Sequence, residues 1–94
     1  MTVDPGAELQ RLRGEMDALN LSLRALLQAR ASLCRRIAAH KREHGLPLVD
    51  AAREASMLMQ LVREPGEGYS DEALARIFSC VLTESRAIVE SEPG

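Results

Sequence analysis

The sequence predicts an all-α fold of three helices, the first of them very long, and three observations carry that prediction. Ala, Leu, Arg and Glu dominate the 94 residues, and all four are strong helix formers. There is no run of β-branched residues and no hairpin dipeptide between alternating stretches, so strands have no signal. Apolar residues recur at Leu9, Leu12, Met16, Leu19, Leu23, Leu26, Leu33 and Ile37, three and four apart, which traces one face of a helix.

Helix 1 is expected over about residues 5–44. Asp4-Pro5 is a start signal, with Asp as N-cap and Pro at the first helical position. Gly45-Leu46-Pro47 is the stop, because Gly supplies the C-terminal cap and Pro forbids continuation. Such a helix is roughly 60 Å long, whereas a compact domain of this size has a radius of gyration of only about 13 Å. A stripe that overhangs its own domain needs a partner, and a second copy of the chain is the simplest one. A homodimer is expected from that geometry alone.

Asp50 is a good N-cap for helix 2 over about residues 51–63. Pro65-Gly66-Glu67-Gly68 forms the next loop. Ser70 caps helix 3 over about residues 71–90, with Asp71 and Glu72 favourably placed in its first turn. Helix 3 carries Leu74, Ile77, Phe78, Val81, Leu82 and Ile88 on one face. The whole of residues 1–94 reads as a single domain with frayed final residues.

Composition excludes several classes. A formal net charge of −2 argues against non-specific nucleic-acid binding. Tyr69 and Phe78, the only aromatics, cannot build a stacking platform. Cys34 and Cys80 make no disulfide framework and are expected as small buried hydrophobes in a reducing compartment. No apolar run approaches the ~20 residues of a membrane span, and the start has no export signature. The expected location is cytoplasmic, with no membrane partner.

Polar residues interrupt each apolar face. Arg30 occupies a slot in the stripe of helix 1, and Lys41, 11 residues later, points the same way, about 16 Å along the axis. Cys34 and Ile37 lie between them as a small apolar floor. Long cationic side chains at the two ends can close on a small dianion. Glu54 lies on the Met57/Leu58/Leu61 face of helix 2, and Ser85 on the apolar face of helix 3. Such groups need hydrogen-bond partners, and a shared polar pocket would supply them. Arg13 is a quarter turn off the Arg30 face, which makes it ill placed for the same pocket within one subunit, whereas across an antiparallel dimer it could serve the neighbour's. Snorkelling charges explain any one of these residues, but four interruptions on three helices favour a site. His40 and His44 share a helical face without an evident third metal ligand and read as solvated. No metal site is expected.

With these residues assembled, Leu26 to Ala55, carrying Arg30, Lys41, Gly45-Leu46-Pro47, Asp50 and Arg53-Glu54, resembles the all-helical AroQ class of chorismate mutases, as does Glu84-Ser85-Arg86. The similarity covers about residues 8–90. It implies an intertwined homodimeric helical bundle that converts chorismate, a dicarboxylate, to prephenate without cofactor, metal or covalent intermediate. It also implies roles: Arg30 and the second copy's Arg13 as carboxylate clamps, and Lys41 as donor to a carboxylate and the ether oxygen. Glu54, with the start of helix 2 at Asp50, would hold the C4 hydroxyl, Arg53 would be among the substrate-binding residues, and Ser85 would add a polar contact.

The sequence departs from the family pattern at four positions. Val89 stands where Gln or Glu usually meets the ether oxygen. Cys34 replaces a frequent Ala, Asn20 a frequent Asp, and Arg86 an apolar residue. Loss of a donor at a developing charge costs ~10²–10³ in rate. Three readings follow from Val89: Lys41 serves the ether oxygen alone, the substrate is 4-amino-4-deoxychorismate, or a partner enzyme activates a weak catalyst. Asp50 and Glu54 suit a hydroxyl or an ammonium at C4, and they count against an isochorismate lyase. The non-enzyme alternative is a helical dimerisation module.

Overall fold

A computed structural model describes residues 4–91 of the chain. It contains three helices, α1 (Pro5–Glu43), α2 (Ala51–Arg63) and α3 (Asp71–Ser91), and no strand among the described residues. The expected bounds hold to within one residue, with α1 ending one residue earlier and α3 one residue later.

The local signals act as their chemistry requires. Asp4 opens α1, its Oδ1 accepting from the Gly6 N–H at 3.3 Å and its carbonyl from the Glu8 N–H at 3.0 Å. At the other end Gly45 has φ +64°, a left-handed conformation that costs a residue with a Cβ about 1–2 kcal/mol. That conformation turns the chain so that Leu46 N–H donates to Lys41 O at 2.8 Å and Gly45 N–H to Arg42 O at 3.4 Å, the paired bonds of a Schellman cap. Helix α2 stops before Pro65, which pushes Glu64 to an extended ψ of 130°. Ser70 Oγ accepts from the Ala73 N–H at 3.1 Å and opens α3.

The chain divides into two compact units, residues 1–32 and 33–94. Among its described residues the first unit is helix α1 alone, and its apolar stripe is open: Leu19, Leu23 and Leu26 are 64%, 56% and 68% exposed. In the second unit α2 packs against α3. Met57, Leu58, Leu61 and Val62 of α2 are half-buried, as are Leu74, Phe78, Val81, Leu82 and Ile88 of α3. Half-burial secures roughly half of the ~2 kcal/mol that full burial of such a side chain contributes. Ile77, expected on the inner face, is exposed, and Ala38 is the buried residue among those described. Neither cysteine is buried as expected: Cys34, on α1, is half-buried, and Cys80, on α3, is exposed, because two paired helices cannot enclose all sides of α3.

Candidate active site

The residues proposed from sequence are distributed over both units. In the second unit the cap that ends α1 also positions Lys41. Folding back through Gly45, the linker presents Leu48, whose carbonyl accepts from Lys41 Nζ at 3.3 Å. The ammonium of half-buried Lys41 is therefore tied, at the surface, to the approach of α2. Asp50, two residues on, caps that helix by accepting from the Arg53 N–H at 3.0 Å. Asp50 and Arg53 are exposed, and the Glu54 N–H donates to Asp50 O at 3.1 Å.

Glu54 is half-buried, and its partner is Arg86 of α3, whose Nη2 donates to Glu54 Oε2. The hydrogen bond to Glu54, and then the Glu54 charge, raise the Arg86 guanidinium above its ordinary pKa; burial opposes this and Glu90 adds a smaller push. Within the single chain, Glu54 and Ser85 each have a partner besides the shared polar pocket expected for them. Glu54 finds a cation across the α2–α3 interface, and Ser85 Oγ donates to Val81 O of its own helix at 2.7 Å. A serine inside a helix has that carbonyl within reach whatever surrounds it.

Val89 is half-buried, and its carbonyl accepts from Arg42 Nη2 at 3.0 Å. Helix α3 has no basic residue in its last turn, so Arg42 supplies from α1 the cation that a helix C-terminus favours. Cys34 is half-buried. Ile37, expected as pocket floor, is 47% exposed in the single chain.

In the first unit Arg13 is exposed and Arg30 half-buried. His40 and His44 stack with ring centroids 4.3 Å apart, and His44 Nδ1 is bonded to His40 O at 3.0 Å. Among the described residues no group of three His, Cys, Asp or Glu could hold a metal, and no helix is long and apolar enough to cross a membrane.

Two residues escaped the sequence reading as partners, Arg86 and Arg42. Arg86 did carry a signal: a cation where an apolar residue is common, flanking the Leu82/Ser85/Val89 face, with an acid unaccounted for on the neighbouring helix. Arg42 carried none beyond its place in the last turn of α1.

An all-helical chain in which Lys41 is tied to the linker before α2, Asp50 caps that helix and Glu54 in its first turn pairs with Arg86 of α3 defines an α-protein with charged residues placed around the start of a short helix. The chain belongs to the chorismate mutase type II family, which it matches over residues 12–90, and members of that family are isomerases. It is similar to the 4-amino-4-deoxychorismate mutase of Streptomyces venezuelae, 35% identical over 78 residues that make up 82% of this chain and 76% of that protein. Form II of the chorismate mutase of Thermus thermophilus superposes with a TM-score of 0.85 at 31% identity, covering 93% of this chain and 99% of the other. The Helicobacter pylori chorismate mutase, solved in complex with prephenate, superposes with a TM-score of 0.80 at 31% identity, over 89% of this chain and 91% of that one.

Proposed function

We propose that the protein rearranges chorismate to prephenate as a homodimer. The observation that carries this reading is the Lys41 ammonium held at the approach of α2, beside the helix whose first turn presents Asp50 and Glu54. The reaction is a concerted rearrangement. The ether C–O bond breaks as a C–C bond forms within one molecule, and no proton, electron or cofactor enters. The protein's task is to hold a flexible dianion in its compact conformer and to stabilise the charge that grows on the ether oxygen.

Arg30 and Arg13 of a second copy take the carboxylates. Lys41 donates to a carboxylate and to the ether oxygen. Glu54, with Asp50 and Arg53 at the helix start, reads the C4 substituent. Ser85 meets the ligand as an acceptor, since its own hydrogen is directed to Val81 O. Cys34 and Ile37 form the apolar floor, and Val89 lines the ether end without donating. The exposed stripe of α1 supports the dimer, because an apolar helix face of this length requires cover. An activating partner enzyme fits a site short of one donor.

The name of the Streptomyces venezuelae relative favours a second reading, an amine at C4. The test is turnover of chorismate and of 4-amino-4-deoxychorismate by the purified protein, with molar mass measured by light scattering in the same buffer. Prephenate formation by a dimer is the expected result. Turnover of neither substrate, or a well-folded monomer, removes the proposal.

A further inference from the structure

We propose that Arg86 determines which C4 substituent the site accepts, by filling one side of the Glu54 carboxylate with a fixed cation and so favouring a neutral hydroxyl over an ammonium. This deepens the reading that Glu54 faces C4, and it rests on that reading.

The argument begins with what Glu54 has left to offer. A carboxylate has about four acceptor positions on its two oxygens. Arg86 Nη2 takes one of them on Oε2. A hydroxyl brings one hydrogen and no charge, so it can be accepted on the remaining positions without disturbing the pair. An ammonium brings a full charge. It would share the carboxylate with a guanidinium that stays protonated at every working pH, and like charges at one anion repel. Asp50, the next acid, spends one acceptor position on the Arg53 N–H as a helix cap, and Arg53, next to Glu54 in sequence, adds positive charge to the same helix turn. Glu90 is the acid that works on Arg86 from its own helix.

Exposure limits the size of the effect. Glu54 is 26% exposed at its side chain and Arg86 48%, so solvent screens part of the repulsion. The pair nevertheless joins α2 to α3 across 32 residues of sequence, which makes it a feature of the folded unit and not of one helix surface. Arg86 is thus a positioning residue that acts through Glu54.

The test compares kcat/KM on chorismate and on 4-amino-4-deoxychorismate for the full-length wild type, Arg86→Leu and Arg86→Lys. Wild type is expected to prefer chorismate. Arg86→Leu should move the ratio toward the amine by roughly tenfold or more, since like-charge juxtaposition at a binding site is strongly discriminating. Arg86→Lys should keep the wild-type ratio, a rescue that a purely structural role would not produce. Should Arg86→Leu fold poorly, Arg86→Gln carries the same expectation with a polar side chain. Equal changes on both substrates, a lysine variant that shifts as leucine does, or a wild type that prefers the amine each overturn the proposal. Glu54→Gln separates the two levels: if chorismate turnover survives it unchanged, the assignment of Glu54 has failed, whereas its loss with an unmoved ratio in Arg86→Leu means that only Arg86 was misread.

Discussion

The two units of this chain use leucine in opposite ways. In the described part of residues 1–32, a lone helix leaves Leu19, Leu21, Leu23 and Leu26 each more than half exposed. In residues 33–94 the leucines of the paired helices, Leu58, Leu61, Leu74 and Leu82, are half-buried between α2 and α3. Sequence pattern does not separate the two cases, because Leu19, Leu23 and Leu26 show the same three-and-four spacing as the faces of α2 and α3. The difference lies in what surrounds the face. A helix has no interior of its own, so an apolar stripe is stabilised only by something that covers it. The first unit therefore carries the open apolar stripe, and the second carries the paired helices and the charged contacts between them.

The strongest way to break this comparison is to put charge on the open stripe. Leu19→Glu with Leu23→Glu should abolish the proposed dimer and the fold that depends on it, since carboxylates in a covered apolar face incur a large desolvation cost. Circular dichroism and light scattering would register it. A variant that stays folded and keeps the molar mass of wild type would mean that the stripe is merely solvated.

Arg30→Ala comes next. As a proposed carboxylate clamp, it should lower kcat/KM by roughly 10²-fold or more, the loss expected when a charged group that holds the substrate is removed, a far larger effect than on Tm. On the proposed reading its larger contribution is to substrate binding, so activity should fall further than stability. A collapsed Tm with full activity in the remaining folded fraction would make Arg30 structural and move the first unit's role wholly to assembly.

Val89→Gln probes the second unit. Glutamine one turn beyond Ser85 on α3 should raise kcat on chorismate about tenfold by donating to the ether oxygen. No change on chorismate or on the amine would mean that position 89 faces away from the ligand.

The smallest effect belongs to the surface of α1. Arg11 bonds Glu8 and holds its carboxylate below the usual range, and Glu8 in turn raises the Arg11 pKa. A depressed carboxylate contributes its stability above its unfolded pKa and loses it as pH falls through the folded one. Glu8→Gln should therefore lower Tm barely measurably at neutral pH, with the two proteins converging on acidification. The pair is solvent-exposed, and such pairs contribute little.

The sequence by itself determined the helices and their ends. Asp4, Gly45, Asp50, Pro65 and Ser70 act on backbone groups within a few residues, so their effect is written into local spacing. It also marked Arg30, Lys41, Glu54 and Ser85 as polar residues on apolar faces, because helical periodicity makes such interruptions visible. Only the tertiary structure decided where those groups turn. Glu54 pairs with Arg86 and Arg42 with the Val89 carbonyl, 32 and 47 residues apart. Those choices depend on how α2 and α3 are rotated against each other and on where the last turn of α1 meets α3. Long side chains reach several neighbours at similar cost, and packing selects among them in a way that no residue spacing encodes.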